Sequence, residues 1–325
     1  MELFESLKQK INRKNISIVF PEGNDARILG AVSRLSEEKV LKPIVLGNPD
    51  EVHKLAADSA IDLGDVEIID YQNLPQVQID EMAAAIVDRR KGKTDDAKAH
   101  DWLKDPNYFG TTLVYMNKVD GMVSGAIHAT SDTVRPALQI IKTKPGVSLI
   151  SGSFLLQKGD QRFLFADSGI NINPNAEQLA EIAVVSADFA KAFDIDPKVA
   201  MLSFSTKGSA KGEMVEKVQQ ATQMAQEKAP NVPIDGEFQF DAAFVPSVAA
   251  KKAPDSKVAG HANVFIFPDL NSGNISYKIA ERLGGFEAMG PLLQGLNKPV
   301  SDLSRGSSED EVYKVAIITA VQALQ

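Results

Sequence analysis

Residues 16–35 read Ile16-Ser17-Ile18-Val19-Phe20-Pro21-Glu22-Gly23-Asn24-Asp25-Ala26-Arg27-Ile28-Leu29-Gly30-Ala31-Val32-Ser33-Arg34-Leu35, and two periodicities meet in them. The first five residues form a short apolar run that stops at Pro21-Glu22-Gly23, as a buried strand does when it enters a turn. Beyond a cap at Asn24 or Asp25, Ile28, Leu29, Val32 and Leu35 recur at helical spacing. The same unit returns along the chain: PIVL (43–46) runs into Gly47, followed by DGMVSGA (120–126), SLISG (148–152), FLFADSG (163–169), VAMLSFSTKG (199–208) and VFIFPDLNSG (264–273). Each apolar run ends in small or polar residues, and helical patterns lie between, such as Leu179, Ile182, Ala183 and Val185 after Pro174. These runs are expected to be buried parallel strands, in sheets with helices on both faces. Ligands of such sheets collect beyond the carboxyl ends of the strands. There this chain concentrates its Gly, Ser, Thr, Asn and Asp.

A chain of 325 residues exceeds the size at which one core stops growing, so two α/β lobes are expected. A boundary falls at Lys142-Thr143-Lys144-Pro145-Gly146, and a second crossover between Asn297 and Gly306. The expected first lobe is residues 1–144 plus about 307–325, the second is 145–306, and the active-site cleft lies between them. The polar stretch from Asp50 to Asp105 reads as peripheral helices.

The net charge of −8, with both signs interspersed, offers no basic face to nucleic acid or to an anionic lipid surface. Anionic substrates would need local cations, which makes individual arginines informative. With no cysteine, disulfides, thiolate metal sites and a cysteine nucleophile are excluded, and a cytoplasmic setting is expected. MELFESLKQKINRKN (1–15) lacks a signal-peptide core, and no apolar run approaches a membrane span.

Four constellations carry chemistry. In the first, from Val123 to Pro136, Thr130, Ser131, Thr133 and Arg135 precede a helix expected to begin close to Arg135. Free amides, hydroxyls and a guanidinium at a helix amino end suit a phosphate, although a capped helix with a surface arginine reads equally well. His128 in the same loop is either a base or, more ordinarily, a hydrogen-bonded structural residue. The second, from Phe204 to Gly212, has small residues and two lysines but not the order of a Walker loop, and reads as a strand-to-helix turn. In the third, Asn271 lies in a strand-to-helix turn, and Lys278 and Arg282 share one helical face; solvated charge is the plain alternative. The fourth is Asp302-Leu303-Ser304-Arg305-Gly306-Ser307-Ser308-Glu309-Asp310-Glu311. Ser308 and Glu311 fit a capping box, while Ser304, Arg305 and a nearby carboxylate supply a donor, a cation and a base.

Taken together and in order, FPEGNDARILGA (20–31), FADSGINI (165–172), AMLSFSTKGSA (200–210), IDGEFQFDAAFVP (234–246), VFIFPDLNSGNISYKIAERLGG (264–285) and GPLLQGLNKPVSDLSRGS (290–307) resemble the phosphate acetyltransferase (phosphotransacetylase) family. That resemblance implies reversible transfer of acetyl between acetyl phosphate and coenzyme A, giving acetyl-CoA and phosphate. It implies direct thiolate attack in a ternary complex, with coenzyme A as substrate, no bound cofactor and no metal. Ser304 would stabilise the oxyanion or orient the thiol, and Arg305 would hold the phosphoryl group with Arg135 in support. Arg282 matches another substrate-binding arginine of the family; Arg90, or Arg89 beside it, matches a further one. The family base is an aspartate seven residues after the serine; here Glu311 stands in that place, with Asp310 just before it. The resemblance also implies the two-lobed architecture of isocitrate and isopropylmalate dehydrogenases, and a homodimer. The rivals are a butyryl-type phosphotransferase, a nicotinamide-dependent oxidoreductase on the same fold, and a silent module of that fold.

Overall fold

A computed structural model describes residues 3–324. Residues 3–145 together with 296–324 form one compact unit, and Gly146–Gly295 forms a second. The first contains α1 (Leu3–Ile11), β1 (Ser17–Phe20), α2 (Ala26–Glu37), β2 (Lys42–Leu46), α3 (Pro49–Asp58), β3 (Glu67–Ile69), α4 (Gln76–Arg90), α5 (Asp96–Trp102), α6 (Pro106–Tyr115), β4 (Gly121–Ser124) and α7 (Thr130–Pro136). A π-helical turn, Ala137–Ile141, extends α7. The second unit contains β5 (Ser151–Lys158), β6 (Gln161–Ala166), α8 (Ala176–Lys191), β7 (Val199–Leu202), α9 (Glu213–Lys228), β8 (Ile234–Phe238), α10 (Phe240–Phe244), α11 (Pro246–Lys252), β9 (Val264–Ile266), α12 (Leu270–Arg282) and β10 (Glu287–Gln294). The chain then returns to the first unit with β11 (Val300–Asp302) and α13 (Glu309–Gln322).

The first sheet has the order β11-β4-β1-β2-β3, and all of its pairings are parallel. Its central strand is apolar throughout its buried length, Ile18, Val19 and Phe20 being closed to solvent, as a strand covered on both faces requires. Asp25 caps α2 by accepting from the amides of Arg27 and Ile28. Ser308 and Glu311 form the expected capping box of α13. That helix is buried nearly all round, Ile317, Ile318 and Ala320 along with Val312, Val315, Ala316 and Thr319. It is wrapped by α1, α2 and the sheet, which is why it is apolar nearly all round.

The second sheet, β10-β5-β6-β9-β7-β8, is mixed. The expectation of parallel strands holds from β6 to β8 and fails for the strand placed at 148–152. There β5 begins at Ser151 and pairs antiparallel with both β6 and β10. The cause is local, because only Gly159 and Asp160 separate β5 from β6, and Gly159 takes a φ of 56°. So short a connection can join only antiparallel neighbours.

Three other expectations are corrected. Residues 296–306 belong with the first unit rather than the second, since β11 pairs with β4. The 50–105 region is not wholly helical, because β3 closes the edge of the first sheet. The helix expected to begin near Arg135 begins at Thr130 and continues through Pro136 into the π-helical turn. Pro136 has no N–H to give to Asp132, so the α pattern gives way to the wider one at that point.

Candidate active site

From β1 the chain winds to β2 and β3 on one side, then crosses to lay β4 and β11 on the other. The order therefore reverses between β1 and β4, and the carboxyl ends of β11, β4 and β1 are neighbours there. The segments leaving those ends are 303–307, 125–129 and 21–25. They bring together the first and fourth constellations with the turn that opened the reading.

The loop after β4 folds around the carboxylate of Glu22, which is buried just beyond β1. Glu22 Oε2 accepts from the amides of Gly125 and Ala126 at 3.0 and 2.8 Å; Oε1 accepts from Ile127 and His128 at 2.9 and 3.1 Å. His128 Nδ1 lies 2.7 Å from Oε1. Burial alone would push Glu22 up, but His128 and the loop amides outweigh it and hold the carboxylate ionised. The same contact raises the imidazole, and it makes His128 a hydrogen-bonded structural residue of the loop. The amides expected to be free for a phosphate are thus already used from 125 to 128, and Ala129 gives its own to Asp132. Thr130 and Ser131, in the first turn of α7, keep N–H groups that have no acceptor within the helix. Ser131 is exposed beside Asp132, the Thr133 hydroxyl is buried without a partner, and Arg135 projects to solvent from the last turn of α7.

Gly125 has a φ of +109°, and a Cβ there would come within 2.5 Å of Asp302 Oδ1 and 2.7 Å of the Leu303 backbone. Glycine is required for β4 and β11 to release their loops side by side. Leu303 donates to Ser124 O at 2.7 Å, and the chain then turns: Ser307 N–H reaches Ser304 O at 2.9 Å and Gly306 N–H reaches Ser304 Oγ at 3.2 Å. Ser304 and Arg305 are left exposed on this turn. The Arg305 guanidinium forms no ion pair or hydrogen bond among the described residues.

What fixes the turn is Arg27, which the sequence reading passed over. Its Nη1 donates to Arg305 O at 2.9 Å and Ser307 O at 2.8 Å, its Nη2 donates to Ala126 O at 2.8 Å, and Asp25 holds its other edge. One planar guanidinium therefore ties together all three carboxyl-end segments. The only trace of this in the sequence is an arginine in the first turn of a helix, where a positive charge is unfavourable and so asks for a reason.

Of the two carboxylates weighed as a base, Asp310 is engaged by Lys314 at 2.6 Å and Arg34 at 3.1 Å, which hold it below its ordinary range, Lys314 foremost. Glu311 spends one oxygen on the Ser308 amide at 2.6 Å. Between Arg89 and Arg90, Arg89 is committed to the carbonyls of Ile140 and Ile141 at 2.7 and 2.6 Å. Arg90 has one long bond to Gln139 O at 3.3 Å and a buried Nε with no partner. Arg90 and Arg135 both act on the Tyr108 hydroxyl, so these two cations share a neighbourhood.

In the second unit, Asn271 and Lys278 are exposed on α12, and Arg282, exposed at its end, meets Glu281 at 3.3 Å. The loop after β7 is internally satisfied: Glu237 takes the Gly208 amide and the Ser205 hydroxyl, and Lys207 pairs with Asp235 at 2.5 Å. It is the strand-to-helix turn expected.

Residues 2–320 match the family model described as phosphate acetyl/butaryl transferase. A phosphate acetyltransferase of Bacillus subtilis is 57% identical over 323 residues, covering 99% of each chain. The crystal structure of a phosphotransacetylase from Streptococcus pyogenes superposes with a TM-score of 0.95 at 58% identity, covering 99% of this chain and 98% of that one. A 4-hydroxythreonine-4-phosphate dehydrogenase from Burkholderia phymatum, 14% identical with a TM-score of 0.58 over 95% of this chain and 98% of its own, shares the fold alone.

Proposed function

Because the chain belongs to the phosphate acetyl/butaryl transferase family, we propose that it is the phosphate acetyltransferase its relatives are named for, moving acetyl reversibly between acetyl phosphate and coenzyme A. It is an acyltransferase. The observation that carries the reading is the turn at 304–307: in a protein of net charge −8, a guanidinium without a counter-ion is displayed beside a serine at a topological switch point. An exposed, unpaired cation held there by Arg27 suits a phosphoryl dianion.

In this reading the thiolate of coenzyme A attacks the acetyl carbon directly, with no acyl-enzyme. Arg305 neutralises the phosphate as the C–O bond breaks, and Arg135 and Arg90 assist from the α7 side. Ser304 donates to the carbonyl oxygen as it becomes an oxyanion. Glu311 takes the thiol proton, a role favoured over Asp310 because the latter already serves two cations. Ser131, exposed on α7, binds phosphate, whereas the Thr133 hydroxyl is closed to solvent and does not reach it; Asn271, Lys278 and Arg282 bind coenzyme A. The charge is handled by arginines, so no metal is required. The reading includes a cytoplasmic homodimer; no helix among the described residues is long and apolar enough to cross a membrane. The dehydrogenase neighbour lends no support to an oxidoreductase, since it shares only the fold.

The test is thioester formation from acetyl, propionyl and butyryl phosphates with coenzyme A, run with a divalent chelator present. Acetyl phosphate should be preferred and the chelator without effect. Arg305→Ala should lower kcat roughly a hundredfold to a thousandfold while leaving Tm nearly unchanged. Preference for butyryl phosphate, dependence on metal, or parallel loss of Tm and activity would each overturn the corresponding part.

A further inference from the structure

The turn that ends β1 and opens α2 carries two side chains, Glu22 and Arg27, that reach into the same loop. The residues between them are locked: Asp25 N–H donates to Glu22 O at 3.1 Å, and the Asp25 carboxylate holds Arg27. Both side chains grip the peptide between Ala126 and Ile127. Its N–H donates to Glu22 Oε1 at 2.9 Å, and its C=O accepts from Arg27 Nη2 at 2.8 Å. In a planar trans peptide these two groups point in opposite directions, so the plane is pinned along both edges.

Four amides and an imidazole converge on the two oxygens of Glu22, whose side chain is closed to solvent. Only an acceptor with no protons of its own satisfies so many donors, so glutamine, of the same size, cannot stand in. A buried charge is costly unless fully paired, and a turn that needed only to be rigid could draw on the residues around it. Asp167 does so in the second unit, taking the amides of Gly169, Ile170 and Asn171 from its own turn. Glu22 instead reaches 103 to 106 positions along the chain. What the long reach adds is a shared register. From the pinned peptide Arg27 passes on to Arg305 O at 2.9 Å and Ser307 O at 2.8 Å, so one body sets both the loop after β4 and the turn carrying Ser304 and Arg305. In the other direction the loop leads from His128 through Ala129, whose amide Asp132 holds, to Ser131.

We propose that Glu22 is a positioning residue of the transfer: it is the resident anion of a nest formed by residues 125–128, and together with Arg27 it aligns the Ser304–Arg305 turn with the amino end of α7. This rests on the phosphate acetyltransferase reading, in which Ser131 binds the phosphate and Arg305 neutralises it. Glu22 touches neither substrate. It acts on the alignment of the two groups that do, and alignment governs kcat, a misplacement of about 1 Å costing roughly a hundredfold. The nest also has a chemical signature. Its amide donors belong to the main chain, so no substitution at position 22 removes them. A variant lacking the carboxylate keeps a concavity of the right polarity for a small anion from solution, reached past His128, whose side chain is 25% exposed.

Chemical rescue tests this. Glu22→Ala removes a carboxymethyl fragment, which acetate supplies. In steady-state thioester formation from acetyl phosphate and coenzyme A, Glu22→Ala should lower kcat about a hundredfold. KM for coenzyme A should stay nearly unchanged, because its proposed ligands Asn271, Lys278 and Arg282 lie in the other unit. Added acetate should restore kcat saturably by roughly tenfold, relative to the wild-type protein in the same acetate; acetamide, of the same shape but uncharged, should not. Glu22→Gln fills the nest and should be slow and indifferent to acetate. Combined with Arg27→Lys, it should lose less than the product of the two single losses, since both act through one peptide. A Glu22→Ala protein with wild-type kcat, or a slow one that acetate restores no better than acetamide, overturns the proposal. If Glu22→Ala does not fold, Glu22→Gln decides: wild-type kcat in the folded protein, or losses that multiply in full with those of Arg27→Lys, overturns it. Failure of both to fold assigns Glu22 to stability alone and overturns it too. A wild-type protein that makes no acetyl-CoA from acetyl phosphate overturns the underlying reading instead.

Discussion

Arg27 shows how much of a site can hang on a residue that touches no reacting group. Its partners Ala126, Arg305 and Ser307 lie 99, 278 and 280 positions away in the chain. No local pattern could have announced that reach. Ser304, Arg305 and the α7 hydroxyls were legible because their types and their place after strand ends are themselves chemical statements. The amides of 125–128 were misread for the converse reason: a glycine-containing loop looks ready for an anion, and nothing nearby in sequence says that Glu22, a hundred residues earlier, already is that anion. If Arg27 positions the turn, Arg27→Lys should be poorly tolerated, because an ammonium on a flexible stem cannot span three carbonyls in one plane. We expect kcat to fall roughly tenfold or more, since misplaced catalytic groups lose rate steeply, with a Tm loss of only a few degrees. Steady-state rates beside thermal melts check this, and a lysine variant with wild-type kcat would show that Arg305 needs no such tether.

At the scale of elements, helices with caps were the readily legible features, and what escaped depended on partners or on covalent detail. The capping box of α13 and the Asp25 cap of α2 follow from residue types three or four positions apart. The antiparallel β5 and β10, the edge strand β3 and the π-helical turn depend on loop length, on pairing, and on a missing N–H. Where α1, α2 and α13 meet, Glu38 accepts from Tyr313 at 2.5 Å and from Lys8 and Arg34 at 3.0 Å each, and the Arg34 guanidinium lies 3.7 Å over the Tyr313 ring. Burial would raise Glu38, yet these partners outweigh it and bring the carboxyl from its ordinary 4.5 to about 2. A folded-state value below the unfolded one stabilises the protein above the unfolded value, and that stability is lost as pH falls through the folded one. Glu38 is 36% exposed, so solvent screening limits the contribution to about 1 kcal/mol. Glu38→Gln should therefore lower Tm at neutral pH by about 2–4 °C, with the gap closing between 4.5 and 2. Melts across that window check it, and a gap independent of pH would assign the loss to packing.

For the molecule as a whole, the alternation of apolar runs with helical patterns was enough to place it among α/β proteins with mostly parallel sheets. The return of β11 to the first sheet was harder to place, because a three-residue strand carries almost no periodicity. Assembly was not legible at all from composition, and its support comes from one helix. On α12, Ile275, Ile279 and Leu283 are 55%, 53% and 85% exposed, and their spacing of four residues makes one stripe. Ile279 also borders an apolar cavity of about 360 Å³ walled by Phe163, Phe240, Phe244 and Phe286. A stripe along a single helix suits an isologous contact in which α12 meets its own copy across a two-fold axis. We propose this face for the homodimer. Light scattering at micromolar concentration should give a dimer mass for the wild type. A carboxylate in the stripe, Ile279→Glu, would be buried unpaired twice over in the symmetric contact, and should shift the mass to that of the monomer without unfolding the chain, as judged by its circular dichroism. A wild-type monomer, or an Ile279→Glu dimer, would move the interface elsewhere or remove it.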